Sequence, residues 1–314
     1  MTGPAAEPVR AAEPVRAAEP VRAAVLGSPI AHSLSPRLHT AAFAACRVAG
    51  EYGRYEVAEA DLPGFLDTHL PQYRGFSLTM PLKHALVRLA QERGWGIDDT
   101  AALTGAANTL VRGGDDAVRV LNTDVTGIVE AVREACGDRV HPHAVILGNG
   151  ATAASALVAA SQLGATLVDL VVRNPDRAAP VVALARRLGV DARVRHLDTW
   201  EPGESVLTVS TLPAGALDAR DLTWPGRLDV PAHGNPPIGN PPTVLDVAYA
   251  QSRTDLVGGY RARGGIGIDG TRMLVHQAVA QFLAFTRTVP GKTGVGPDER
   301  GRIANAMSAA LEGI

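Results

Sequence analysis

Along most of its length the chain alternates short apolar runs with longer segments of helical period. "RAAVLGSP" reads as a strand running into a Gly-Ser-Pro turn, and "SPRLHTAAFAACRVAG" as a helix with Pro36 in its first turn and Gly50 at its end. "EYGRYEVA" alternates as a strand does, "DLPGFLDTHL" is a short helix and "YRGFSLTM" another strand. "HALVRLAQERG" is helical, and "TGAANTLVRGG" with "VRVLNTD" makes a hairpin-like pair. "TDVTGIVEAVREACG" predicts a helix leading to a second set of elements. There "HAVILGNGATAASALVAASQLGA" and "TLVDLVVRNPDRAAPVVALARRLG" are each strand, turn and helix, followed by strands in "SVLTVSTLP" and "TVLDVAYA". "GIDGTRMLVHQAVAQFLAFTR" and "DERGRIANAMSAALEG" are closing helices that fold back on the first unit.

Such alternation predicts an α/β architecture. At 314 residues, the chain favours two domains over one large core. The expected division is discontinuous. A mainly parallel α/β unit takes 23–123 and recovers 271–314, a second unit takes 124–270, and the site lies in the cleft between them.

Two segments break the pattern. "AAEPVR" occurs three times in succession, at 5–10, 11–16 and 17–22. A six-residue period with a proline in each copy suits neither helix nor packed strand, so 1–22 is expected to be a disordered tail. "PAHGNPPIGNPP" is expected to be a mobile surface insertion.

Composition narrows the function classes. The chain is 46% apolar and 20% charged with a formal net charge of −2, a globular balance with no basic stripe for nucleic acid or acidic membrane. No apolar run is long enough to span a bilayer, and the N-terminus lacks the order of a secretory signal. The two cysteines, Cys46 and Cys136, support neither a disulfide scaffold nor a metal cage, so a reducing cytoplasm is expected. The expected partner is a small molecule, with the chain a monomer or homodimer.

"VILGNGATAASAL" places Gly148-x-Gly150-x-x-Ala153 between a strand and a helix. The first glycine allows the tight turn, the second lets backbone N–H groups approach a pyrophosphate, and a small third residue allows close packing. This predicts a Rossmann-type dinucleotide domain. Its next strand ends in "VVRNPDRA", where an NAD site usually carries an acidic residue for the ribose. Asp169 lies too early for that role. Arg173 and Arg177 could instead chelate a 2′-phosphate through charge-assisted bonds, which favours NADP.

A second constellation lies in the first unit. Ser33 and Ser35 precede a helix and could seat a carboxylate. "SLTMPLK" adds Thr79 and Lys83, "GAANTL" adds Asn108, and "LNTD" adds Asn122 and Asp124. Hydroxyl, amide, ammonium and carboxylate groups at strand ends suit a small, oxygenated, anionic ligand.

These blocks, in order and spacing, resemble the shikimate dehydrogenases. "GSPIAHSLSPRLHTAAF", "SLTMPLK", "GAANTL", "NTDVTG", "LGNGATAASAL", "DVAYAQSRT" and "GIDGTRMLVHQAVAQF" carry the likeness from about residue 23 to the end. The resemblance implies reversible NADPH-dependent reduction of 3-dehydroshikimate to shikimate. It implies that Ser33, Ser35 and Tyr249 hold the ring carboxylate and that Thr79, Asn108 and Gln277 hold ring hydroxyls. Lys83 and Asp124 would be the catalytic pair. Gly148, Gly150, Ala151 and Ala153 would line the pyrophosphate loop, Arg173 and Arg177 the 2′-phosphate site, with Gly270 and Met273 near the nicotinamide. No metal is implied.

Three positions depart from the family pattern: Ser77 stands where Asn is usual, Asn149 and Ala151 alter the glycine loop, and "VRN" replaces "NRT". Two other readings stay open. One is a catabolic quinate/shikimate dehydrogenase using NAD, against which Ser35 (rather than Thr) and the paired arginines lean. The other is a non-catalytic sensor of shikimate-like acids.

Overall fold

The first strand starts inside the third hexapeptide copy: Val21–Gly27 (β1) pairs with two neighbours and buries Ala23, Ala24 and Leu26 completely. The expected tail boundary at residue 22 is therefore too late. Val21 is itself buried in the first sheet, and only Arg22 beside it faces out. In this computed structural model, residues 19–217, 222–228, 241–249, 255–287 and 297–312 are described. Most of the repeat segment and of "PAHGNPPIGNPP" lies outside them.

β1 joins β2 (Gly50–Glu56), β3 (Gly75–Leu78), β4 (Gly96–Ile97), β5 (Thr109–Arg112) and β6 (Val118–Leu121) in one sheet of order β2-β1-β3-β5-β6-β4. It is parallel except where β5 runs against β3 and β6. Between the strands lie α1 (Ser35–Cys46), α2 (Leu62–His69), α3 (Leu82–Glu92) and α4 (Asp99–Thr104). The helix α1 stops earlier than expected. Arg47 adopts the left-handed conformation (φ 52°) that ends it, and Gly50 opens β2 instead.

Helix α5 (Asp124–Cys136) leads to the second sheet, built from β7 (His143–Leu147), β8 (Leu167–Val172), β9 (Asp191–His196), β10 (Leu207–Ser210), β11 (Thr243–Asp246) and β12 (Ile266–Asp269). Its order, β12-β11-β10-β7-β8-β9, is wholly parallel and reverses between β7 and β10. That is a doubly wound Rossmann sheet with its switch point at the carboxyl ends of β7 and β10. α6 (Ala151–Gln162), α7 (Ala179–Leu188) and α8 (Asp255–Ala262) cover it. The unforeseen elements are β4, α4, β9, α8 and β12. β9 is a largely exposed polar edge, "DARVRH", and β12 and α8 are interrupted by glycines, so neither periodicity nor propensity marks them.

The last helices, α9 (Gly270–Thr286) and α10 (Pro297–Ala309), return to the first sheet. Leu274, Val275, Ala278, Phe282 and Phe285 of α9 pack with Val21, Ala23 and Val25 of β1, and Ile303 and Met307 of α10 join them. Phe282 and Phe285 are fully buried, and truncating either to Ala should cost about 3–5 kcal/mol. α9 also crosses α5 closely. A Cβ on Gly127 would lie 2.9 Å from Gln277 Cβ and from Met273 O, so only glycine permits this approach. The crossing brings the start of α5 beside the Gln277 side of α9.

Candidate active site

The strand directions of the first sheet bring its polar residues to one edge. Ser33 and Ser35 follow β1, Thr79 and Lys83 follow β3, and Asp124 follows β6. Asn108 precedes β5, which is antiparallel and therefore starts at the same edge. Lys83 is not a strand-end residue: it sits in the first turn of α3, and Asp124 is the first residue of α5. The N-terminus of α5 favours a carboxylate there.

The Lys83 ammonium donates to Asp124 Oδ2 at 2.6 Å, with side-chain exposures of 15% and 5%. A pair this withdrawn from water interacts far more strongly than a surface pair, and it depends on further hydrogen bonds to offset desolvation. Asn108 supplies one, donating from Nδ2 to Asp124 Oδ1 at 2.8 Å. The same amide reaches Thr123 Oγ1 at 3.0 Å and Gln277 Oε1 at 3.3 Å, and its oxygen accepts from the Thr123 backbone N–H at 2.9 Å. Asn122 faces the other way, donating to Ala106 O and to Ser155 Oγ on α6.

A cavity of about 200 Å³ opens over these groups. Ser33, Ser35, Thr79, Asn108, Tyr249 and Gln277 all line it with Lys83 and Asp124. Ser33 and Ser35 flank the start of α1, whose N-terminus favours an anion. Burial raises the pKa of the Tyr249 phenol, and the charge of Asp124 adds to the shift, so Tyr249 is a neutral donor at neutral pH. Gly270 and Met273 line this cavity as well. Gly270 is fixed by packing, since a Cβ would fall 2.6 Å from both Asp246 O and Val247 O.

A larger cavity of about 740 Å³ lies on the side of the second sheet. Gly148, Gly150, Ala151, Arg173 and Arg177 line it, beside Thr79, Lys83 and Thr152, which border both cavities. Gly148 has φ +109°, a conformation that favours glycine, and a Cβ would sit 2.5 Å from Thr211 Oγ1 at the switch point. A Cβ on Gly150 would meet nothing within 4 Å, leaving open space against the N-terminus of α6. Arg173 and Arg177 are exposed, and among the described residues neither guanidinium has an ionic or hydrogen-bond partner. Volume, glycine cradle and exposed cations together fit a dinucleotide. Ala153 is different: it lies on the inner face of α6, fully buried in the core, and lets helix and sheet pack.

Thr152 and Gln281 line the smaller cavity without having been singled out from the sequence. Gln281 lies one helical turn beyond Gln277, a spacing that signals a shared face. Thr152 carries no such signal. Lys83 Nζ comes within 3.5 Å of its hydroxyl. Among the described residues no cluster of His, Cys, Asp or Glu could hold a metal ion, and no helix is long and apolar enough to cross a membrane.

The family described as the shikimate dehydrogenase substrate binding domain matches residues 25–110. An NADP(+) shikimate dehydrogenase of Methylobacterium radiotolerans is 34% identical, covering 89% of this chain and 95% of the relative. The crystal structure of shikimate dehydrogenase from Mycobacterium tuberculosis superposes with a TM-score of 0.74 at 35% identity, covering 92% of this chain and all (100%) of the other. The Thermus thermophilus shikimate 5-dehydrogenase in complex with NADP(H) and shikimate gives 0.69 at 28% identity, over 93% of this chain and 100% of its own. Identity at this level, sustained through both sheets, makes this chain a member of the shikimate dehydrogenase family.

Proposed function

We propose that the protein is an NADP-dependent shikimate dehydrogenase, reducing the ring ketone of 3-dehydroshikimate reversibly to shikimate. The observation that carries this reading is the position of Lys83, paired with Asp124 on the border between the cavity of hydroxyls and amides and the cavity of the glycine loop. Residues 21–123 with 271–314 form the substrate unit, and residues 124–270 the nucleotide unit.

Bound NADPH supplies the hydride. Negative charge then develops on the former ketone oxygen, and the Lys83 ammonium stabilises it and delivers the proton. Asp124 holds that ammonium in place, and Asn108 holds Asp124. Ser33, Ser35 and Tyr249 bind the ring carboxylate with neutral donors near the start of α1. Thr79, Gln277 and Asn108 take the ring hydroxyls. The long bond from Asn108 to Gln277, 3.3 Å, is the one that a ring hydroxyl replaces. Arg173 and Arg177 receive the 2′-phosphate, and the backbone from Gly148 to Ala151 receives the pyrophosphate.

The test is the initial rate of nicotinamide reduction with four pairs: shikimate or quinate, each with NADP⁺ or NAD⁺. The expected result is the highest kcat/KM for shikimate with NADP⁺. Absence of turnover with shikimate overturns the reading, and preference for quinate with NAD⁺ replaces it with the catabolic one.

A further inference from the structure

In the wall of the smaller cavity runs a chain of buried polar side chains that leads to the Lys83–Asp124 pair. Tyr52 OH donates to Ser77 Oγ at 2.6 Å, and Ser77 donates to Gln281 Oε1 at 2.8 Å. Gln281 Nε2 donates to the backbone carbonyl of Asn108 at 3.3 Å and to Thr109 Oγ1 at 3.1 Å. Thr109 Oγ1 donates to Asn108 Oδ1 at 2.9 Å. Asn108 then donates to Asp124. Ser77, Gln281, Thr109 and Asn108 are at most 3% exposed, so a donor or acceptor left unmet among them is costly.

The direction of this chain is fixed by two backbone groups. A carbonyl only accepts, so Asn108 O requires the NH₂ of Gln281 to face it, which turns Oε1 toward Ser77. A backbone N–H only donates, so Thr123 N requires the oxygen of the Asn108 side chain, which turns its NH₂ toward the carboxylate. Thr109 joins the two amides. Its oxygen accepts from Gln281, and its proton is thereby committed to Asn108 Oδ1. Without Gln281 that proton is free to turn elsewhere. The Asn108 amide then loses one of the contacts that prevent it from presenting an oxygen to Asp124.

We infer that Gln281, held by Ser77, is a positioning residue for the reaction. Together with the Thr123 backbone N–H, it holds the orientation of the Asn108 carboxamide, and through it the Asp124 carboxylate that holds Lys83. The inference rests on the proposed reduction for its kinetic readout alone.

The test compares the parent with Gln281→Leu, Ser77→Ala and the double variant in the full-length protein. One arm measures kcat and KM for shikimate and for NADP⁺. The other follows the Asn108 side-chain amide by ¹⁵N NMR hydrogen exchange. For Gln281→Leu, kcat should fall about tenfold to a hundredfold, as for a small misplacement of a reacting group, with the KM for NADP⁺ unchanged. Ser77→Ala should give a smaller fall, and the double variant should be no worse than Gln281→Leu because both act through one chain. Protection of the Asn108 amide should drop in both single variants. A merely structural role would lower the melting temperature and leave kcat and that protection unchanged, which overturns the inference. If Gln281→Leu does not fold, Ser77→Ala decides by the same two readouts. If the parent fails to oxidise shikimate, the reduction reading falls and the amide arm alone decides the positioning role.

Discussion

Lys83, in the first turn of α3, comes within 3.5 Å of Thr152, in the first turn of α6. The ammonium therefore touches the nucleotide loop with one hydrogen while giving another to Asp124. That position puts the ammonium in the lining of both cavities at once. Lys83→Ala should lower kcat for shikimate oxidation by about 10²–10⁴-fold, the range for loss of a positioned proton donor. The KM for shikimate should change much less, because the contact is made chiefly in the transition state. Steady-state kinetics of the purified variant check this. Near-normal turnover, or all of the loss in KM, counts against the role.

Much of this arrangement was legible in the residues, and the parts that were not have identifiable causes. The glycine loop, the strand after it and the polar blocks are local signals, and they mark the two-sheet architecture and the shared edge. Ser77 stood out as a departure with a shorter reach than asparagine. Its consequence was not legible, because the group that meets it, Gln281, is distant in sequence and arrives on the returning α9. Lys83 read as a strand-end residue because proline at 81 obscured a helix that starts at Leu82. Ala153 has the packing role that the motif gives its third residue, and it is buried away from the cavity that the loop glycines line.

On the proposed reading, Arg173 and Arg177 separate the two nicotinamide dinucleotides by charge. Each charge-assisted bond to a phosphate contributes about 1.5–3 kcal/mol, so Arg173→Ala should raise the KM for NADP⁺ roughly tenfold to a hundredfold. The KM for NAD⁺, which has no 2′-phosphate, should stay where it is. Paired titrations of the two cofactors at fixed shikimate measure the ratio. An unchanged preference removes Arg173 from the phosphate site.

His39 gives the first sheet an acid sensitivity of its own. It is fully buried, stacks on Tyr52 at 4.0 Å between ring centroids, and has no hydrogen-bond partner at either ring nitrogen. Burial, against a weaker opposing influence of Gln281, pushes its pKa down from 6.5 to about 3. The unfolded chain binds a proton here below about pH 6.5 and the folded chain does not, so acid favours unfolding. The stability is fully present above that pH and is lost progressively as pH falls toward about 3. At pH 5 the loss is about 2 kcal/mol. His39→Phe, which keeps the stacked ring and removes the titration, should melt more nearly alike at pH 7 and pH 5 than the parent does. Thermal melts at the two pH values decide, and equal acid sensitivity in both proteins sinks the idea.

The two glycines of the nucleotide loop should respond differently to the same methyl group. At Gly148, alanine is strained by the positive φ and would place its Cβ 2.5 Å from Thr211 Oγ1, so Gly148→Ala should destabilise the fold itself. A loss of about 1–3 kcal/mol is the scale of such backbone strain. At Gly150 the backbone is ordinary and the Cβ meets nothing, so Gly150→Ala should melt like the parent. Its methyl group projects into the space where a pyrophosphate would approach the start of α6, and the KM for NADP⁺ should rise without change in the fold. Melting curves and cofactor titrations on both variants separate a residue kept for its backbone from one kept for its ligand. If Gly150→Ala binds NADP⁺ as the parent does, the pyrophosphate does not lie against that glycine.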